Sequence, residues 1–187
     1  MAGAVIKKRF TADEYQRMGQ VGILSNDDRV ELIDGEVVAM TPIGARHNAC
    51  VNHVNRALVR AAGDDAIVQA QGSVRLDPYH EPEPDLVLLR PRTDFYASRL
   101  PGPDDILLVI EIADTSIEYD REVKARVYAA AGITEYWLAD LNANVVWRYS
   151  SPERSSYRSI EPCHRGQTIA PQLLPSCAIA VAILLTE

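Results

Sequence analysis

Residues 84–114 of the chain have the sequence PDLVLLRPRTDFYASRLPGPDDILLVIEIAD. It contains two apolar runs, 86–89 and 106–110, separated by a segment rich in proline, aspartate and arginine. Short apolar runs bounded by turn-forming residues are typical of buried β-strands. Asp85 precedes the first run and Glu111 follows the second. The stretch therefore predicts two core strands, each with a carboxylate at one end.

Strand and helix signals continue on both sides of this pair. Thr11 and Glu14 form a capping-box pattern, which predicts a short helix that ends at Gly19. The sequence VELIDGEVVAM predicts a hairpin that turns at Asp34 and Gly35. The other predicted elements are a helix over 45–63, strands over 66–70 and 73–76, a helix over 120–132 capped by Asp120, and two strands within 135–150.

Length and composition indicate one globular unit. The chain has 187 residues, of which 47% are hydrophobic and 24% charged, as in an ordinary folded domain. There is no internal repeat and no linker long enough to divide it. We therefore predict an α/β (α+β) fold in a single domain over residues 1–187, with a mixed β-sheet and helices packed on it.

The compartment is predicted from what the sequence lacks. The N-terminus has no apolar stretch of signal-peptide length, and the most apolar segment, AIAVAILL, is 8 residues long, too short to span a membrane. The three cysteines have no metal-type spacing. These features favour a cytoplasmic protein.

The net charge of −7 argues against a general polyanion binder, because non-specific affinity for nucleic acid comes from a basic surface. A nucleic-acid enzyme with this charge would need bound cations or a local basic patch near its site.

The two strand-end acids suggest such a cation. Carboxylates are costly to hold against apolar strands unless a positive group pairs with them. Mg²⁺ usually takes one or two carboxylates together with water and substrate phosphate. Asp85 and Glu111 could supply these ligands, and the carbonyl of Ile112 a third. The alternative is that both acids mark strand ends at the surface.

Lys124 follows in the helical segment DREVK. A lysine beside a bound metal and a phosphodiester can orient the attacking water and balance charge in the transition state. The alternative is a solvated pair with Asp120, four residues earlier on the same helix.

Three segments together resemble a known family. They are RVELIDGEVVAMTPIGARH (29–47), PEPDLVLL (82–89) and LLVIEIADTSIEYDREVKARVYAAAGITEYWLAD (107–140). They are similar to the Uma-two family of restriction endonucleases, within the PD-(D/E)XK nuclease superfamily. The resemblance runs from about Glu31 to Asp140 and more loosely to the C-terminus. It implies a restriction-endonuclease-like core, a sheet flanked by helices, that cuts phosphodiesters with Mg²⁺.

The resemblance also implies roles for single residues. Asp85 matches the aspartate of the P-D motif, and Glu111 matches the acid of the (D/E)XK motif. The usual lysine position, two residues after Glu111, is Ala113 here, and Lys124 on the following helix matches the lysine instead. Glu31 matches an early acid that supports the metal or positions water. Asp114 stands where many relatives have serine.

His47 and Arg46 are candidate substrate ligands at the start of the long helix. The resemblance places a histidine at position 47, where it could contact a phosphate or carry a proton. A hydrogen bond at the helix start explains it equally well. Arg46 could belong to a local basic patch, and plain surface solvation is its alternative.

Two functions follow from different classes. The first is a metal-dependent endonuclease, with DNA as its expected substrate, that uses Mg²⁺ with Mn²⁺ as a substitute and works as a homodimer. The second is a non-catalytic module of the same fold that binds nucleic acid or a protein. The acidic net charge and Ala113 favour the module, and the joint presence of Asp85, Glu111 and Lys124 favours the enzyme.

Overall fold

The computed structural model describes residues 7–25 and 27–185. The first half of the chain holds α1 Ala12–Gln20, β1 Val30–Ile33, β2 Glu36–Ala39, α2 Ala45–Ala62, β3 Ile67–Ala70 and β4 Leu86–Leu89. A 3-10 turn, Pro103–Asp105, leads into the second half. That half holds β5 Ile106–Ala113, α3 Ile117–Tyr119, a π-helical stretch Asp120–Lys124, α4 Ala125–Ala130, β6 Glu135–Asp140, β7 Val145–Glu153, β8 Ser156–Cys163, β9 Thr168–Ile169, β10 Ile179–Ala180 and α5 Val181–Leu184.

A six-stranded mixed sheet in the order β3-β4-β5-β6-β7-β8 forms the centre. Among the described strands of this sheet, β5 and β6 are the one parallel pair, because the helical segment from α3 to α4 crosses between them. The other neighbouring strands are antiparallel. Two small hairpins, β1–β2 and β9–β10, lie outside this sheet.

Helices cover both faces of the sheet. On one face, Val51, Val54 and Leu58 of α2 form an apolar stripe at helical spacing and pack on the sheet. On the other face, α4 packs through Val127 and Tyr128. Every residue of β4, β5 and β6 is buried as a result. The predicted fold class, a mixed sheet flanked by helices, is confirmed.

Two local predictions were wrong. Residues 73–76 are not a strand, because Val74 and Leu76 direct their backbone N–H groups to Pro82 and His80, within a loop that folds back on itself. Asp120 does not cap a helix, since the chain is already helical from Ile117. The capping box at the start of α1 and the hairpin between β1 and β2 formed as predicted.

Within residues 7–25 and 27–185, none of the helices has the length and apolar character needed to cross a membrane.

Candidate functional site

Asp85 and Glu111 lie side by side where two interior strands of the sheet meet the cavity. Asp85 directly precedes β4, Glu111 lies in β5, and Leu86 of β4 is paired with Ile110 of the antiparallel β5. The Asp85 N–H donates to Glu111 Oε2 at 3.1 Å, and the Ile112 N–H donates to Asp85 Oδ2 at 2.9 Å. The register of β4 and β5 therefore fixes both carboxylates against each other's backbone.

Lys124 reaches the same point from the crossing helix. Its Nζ donates to Glu111 Oε1 at 2.8 Å and lies 3.4 Å from Glu31 Oε2 and 4.0 Å from Asp120 Oδ1. The Tyr128 hydroxyl donates to the same Glu111 oxygen at 2.7 Å. The lysine of the sequence prediction is thus buried among carboxylates and does not point into solvent.

A wide helical turn presents this lysine. Asp120–Lys124 is π-helical, and the Ala125 N–H donates to the carbonyl of Asp120, five residues back. Such turns in α-helices are often found at functional sites. Here the wide turn holds both Asp120 and Lys124 buried and turned toward the sheet.

Glu31 lies on β1. Together with Glu111, Asp120 and Lys124 it forms a buried charged cluster. Its carboxylate is buried and accepts the backbone N–H of Glu83 through Oε2 at 3.3 Å. The hairpin that carries it is attached to the rest of the protein where Leu32 and Glu81 exchange backbone hydrogen bonds. Side chains of β1, β5 and the π-helical stretch therefore meet at Lys124.

The cluster opens into a cavity of about 770 Å³ with a surplus of negative charge. Among the described residues that line it, two are permanently cationic, Arg29 and Lys124, and His47 is a third basic group. Seven lining residues are acidic: Glu31, Glu83, Asp85, Glu111, Asp114, Glu118 and Asp120. An imbalance of this size is unfavourable unless protons or cations offset it.

Burial and neighbouring charges shift the pKa values of Glu111 and Lys124. Burial raises the pKa of Glu111 to about 8, although the Lys124 ammonium acts to lower it. Burial acts to lower the pKa of Lys124, but the charges of the surrounding carboxylates outweigh burial and hold that pKa well above its usual value. The raised pKa keeps Lys124 protonated, so its ammonium can donate hydrogen bonds.

His47 supports Asp85. Its Nε2 lies 2.9 Å from Asp85 Oδ2, so the ring and the Ile112 N–H share one carboxylate oxygen. Burial acts to lower the pKa of His47, but the hydrogen bond and charge of Asp85 outweigh it and leave that pKa raised. The imidazole and the carboxylate thus form a pair that is mostly shielded from solvent.

Arg46 is held by other groups at the rim. Its guanidinium donates to Asp114 Oδ1 at 3.2 Å, Asn142 Oδ1 at 3.1 Å and the Leu141 carbonyl at 2.6 Å. Asp114 and Asn142 line the cavity. A substrate phosphate would have to compete with these acceptors for Arg46.

The oxygen donors suit a hard divalent cation. Within the part of the chain that the structure describes, no three His, Cys, Asp or Glu side chains are grouped to hold a metal ion. Mg²⁺ nevertheless often binds through two carboxylates, with water and substrate completing its shell. Asp85 and Glu111 provide two such carboxylates, and the surplus of acidic residues in the cavity provides negative charge that attracts a cation.

The sequence matches a family model described as "Uma2: Putative restriction endonuclease" over residues 12–182. The chain belongs to the Uma2 family. No curated protein sequence matches it. A solved structure, described as "a putative nuclease belonging to DUF820 from Anabaena variabilis ATCC 29413", is similar with a TM-score of 0.75 and 15% sequence identity, covering 94% of this chain and 97% of that one. At that identity the likeness shows a shared fold.

Sequence reasoning missed several groups of this Uma2 site. The sequence patterns predict Asp120 as a helix cap and as a partner of Lys124, and they give no role to Glu83 or Tyr128. Tyr128 lies four residues after Lys124 and so falls on the same helix face, which is a signal the sequence did contain. Glu83 gives no comparable signal, because it enters the site through a loop whose path depends on the tertiary fold.

Proposed function

We propose that this protein is a metal-dependent endonuclease that hydrolyses phosphodiester bonds, in DNA, with Mg²⁺ as cofactor and Mn²⁺ as a substitute. The observation that carries this proposal is the surplus of carboxylates around one buried lysine, at the edge of an open cavity. Family membership supports the same reaction class.

Asp85 and Glu111 are the residues that would hold the cation, with the backbone of Ile112 beside them. Mg²⁺ bound there would act as a Lewis acid toward the phosphoryl oxygens. The remaining contributions come from the protein. Asp85 is oriented by His47 and by the Ile112 N–H, and Glu111 by Lys124 and Tyr128, so both carboxylates are preorganised before substrate arrives.

Lys124 would donate to the attacking water and to the phosphate, since its pKa keeps it protonated. An ammonium in this position offsets the negative charge that develops on phosphate oxygens. Glu31 lies 3.4 Å from Lys124 Nζ and would orient the lysine and the water beside it. Lys124 thereby takes the role of the lysine missing at Ala113.

His47 and Arg46 would contribute to substrate binding at the cavity. The raised pKa of His47 favours an imidazolium, which attracts phosphate. Arg46 could exchange one of its rim acceptors for a phosphate oxygen, because its pair with Asp114 is partly exposed and weak.

Cleavage of both strands of a duplex requires two active sites, so we propose a homodimer. None of the three cysteines forms a disulfide, which suits the reducing cytoplasm in which we propose that the protein works. Sedimentation at several protein concentrations tests the dimer, and a mass of one chain throughout would contradict it.

The central test is plasmid cleavage at low salt with Mg²⁺ or Mn²⁺. Asp85→Ala should lower the rate on the order of a thousandfold, because loss of one carboxylate ligand misplaces and weakens the Lewis acid. Asp65→Ala, an exposed acid on a loop, is the matched control and should cleave normally. EDTA should abolish all activity. Equal cleavage by Asp85→Ala and the unmodified protein would disprove the assignment.

A second candidate is a non-catalytic module of the same fold that binds nucleic acid or a protein. The specific observation in its favour is that the Lys124 ammonium already lies among the carboxylates that a metal would use. Failure of the unmodified protein to cleave any DNA or RNA at low salt with Mn²⁺ would favour this module.

A further inference from the structure

Gln71 lies directly beside the proposed catalytic carboxylates. It follows the last residue of β3, and its backbone N–H donates to the carbonyl oxygen of Asp85 at 3.0 Å. Gln71 lines the same cavity as Asp85 and Glu111.

The backbone at Gln71 is strained and held in place. Its φ is +49°, in the left-handed region that glycine favours and glutamine rarely occupies. The neighbouring side chain of Gln69 fixes this turn, because its Nε2 donates to the Gly72 carbonyl at 2.8 Å and to the Ser73 carbonyl at 3.3 Å. A Cβ at Gly72 would come within 2.8 Å of the same Nε2. Strain that the surroundings enforce in this way is typical of functional positions.

The turn buries a hydrogen-bond donor that is not used. Within the part of the chain that the structure describes, Gln71 Nε2 is a buried atom with no hydrogen-bond partner. A buried donor without a partner costs stability, and folded proteins keep few of them. The strained backbone and the unused donor occur in one residue at the cavity wall, and together they indicate that the partner is a ligand.

The ligand must offer an acceptor oxygen close to carboxylates. A lysine or arginine at position 71 would form an ion pair with Asp85 and would then not be available to bind the substrate. A neutral amide avoids that pairing and stays available to an oxygen brought in by the substrate. A phosphodiester bound beside the proposed metal-binding carboxylates needs a neutral donor of this kind.

We propose that Gln71 is a substrate-positioning residue whose amide Nε2–H donates to a non-bridging oxygen of the phosphodiester. This rests on the proposed nuclease function and adds one protein contact to the scissile group. The contact forms on the Asp85 side of the cavity and orients the phosphate before cleavage.

Kinetics of plasmid cleavage with Mg²⁺ test the contact. Gln71→Glu keeps the size of the side chain, removes the donor and adds repulsion, so kcat/KM should fall about 10- to 100-fold. Gln20→Glu, the same change at an exposed position on α1, should leave kcat/KM unchanged. A Gln71→Glu protein as active as the unmodified one would overturn the proposal.

A binding measurement separates this inference from the nuclease proposal. The side-chain amide signal of Gln71 in ¹⁵N-labelled protein, assigned by its absence in Gln71→Gly, should shift when a thymidine dinucleotide is added. A shift without any cleavage by the unmodified protein would sink the nuclease proposal but support the phosphodiester contact. Cleavage without a shift would overturn the role of Gln71 alone.

Thermal unfolding excludes a purely structural role. Gln71→Gly relieves the strained φ and removes the unpaired donor, so its Tm should equal or exceed that of the unmodified protein while kcat/KM falls. A lower Tm combined with unchanged kcat/KM would show that Gln71 serves the fold, and would overturn the proposal.

Discussion

Two buried glutamates on adjacent strands have opposite surroundings. Glu111, near the end of β5, accepts hydrogen bonds from Lys124 and Tyr128 at the wall of a cavity with seven acidic lining residues. Glu135, at the start of β6, lies at the other end of the sheet. There it accepts Trp137 Nε1–H at 2.6 Å and Arg148 Nε–H at 2.7 Å through one oxygen, and the Gln172 N–H at 2.6 Å through the other.

The difference is one of charge balance. Glu135 has one guanidinium for one carboxylate, and its three donors join β6, β7 and the C-terminal segment. Its role is explained by structure alone. At Glu111 the carboxylates outnumber the cations, which costs stability unless something else binds there. A balanced buried pair therefore indicates a structural role, and a surplus of one sign beside a cavity indicates a ligand.

The largest expected change in the free energy of unfolding comes from removing the cation beside each glutamate, Lys124 beside Glu111 and Arg148 beside Glu135. Lys124→Met leaves several buried carboxylates without their ammonium and should lower the free energy of unfolding by about 3–5 kcal/mol. Arg148→Met should cost less, since the Arg148 side chain is 26% exposed and water can solvate Glu135 in its place. Urea unfolding measures both. Added Mg²⁺ should restore stability to Lys124→Met only; equal losses without rescue would contradict the comparison.

A change of pH is expected to have an intermediate effect on the free energy of unfolding. Because the pKa of Glu111 rises from 4.5 to about 8 on folding, the folded protein holds a proton that the unfolded chain has released. The free energy of unfolding should therefore fall as the pH rises through that window, by about 1 kcal/mol per unit and about 2 kcal/mol from pH 6 to 8.

The same experiment compares the two glutamates. Glu111→Gln should lose this pH dependence, whereas Glu135→Gln should keep it. Mg²⁺ should flatten the slope in the unmodified protein, because a cation binds the deprotonated site. Urea unfolding at pH 5, 6, 7 and 8 measures all three proteins. A slope that survives in Glu111→Gln would show that another group takes up the proton.

The smallest effect is expected at the exposed rim. The ion pair of Arg46 and Asp114 is 40% and 30% exposed, so Arg46→Ala should change the free energy of unfolding by less than about 1 kcal/mol. If Arg46 contacts phosphate, the slope of log K for DNA binding against log salt concentration should be smaller by about one unit in Arg46→Ala. The affinity of this variant should be lowered for all DNA sequences alike. Fluorescence anisotropy at several salt concentrations measures this, and an unchanged slope would remove Arg46 from the substrate site.

Local patterns made much of the fold predictable. The apolar runs that became β4 and β5, the capping box of Thr11 and Glu14 and the turn at Asp34 and Gly35 each depend on neighbours within a few residues. The strand predicted over 73–76 is wrong because it was also based on a local pattern. Its alternating pattern is that of a strand, but Val74 and Leu76 found their backbone partners in a loop.

Local sequence patterns placed Asp85 directly before one core strand, Glu111 near the end of the next and Lys124 on the helix that follows, because strand and helix signals depend on near neighbours. Asp120, Glu83 and Gln71 share the cavity through tertiary contacts. That sharing depends on strand register, on a π-helical turn and on a strained loop. None of these is set by residue type alone, because each forms through contacts between segments far apart in the chain.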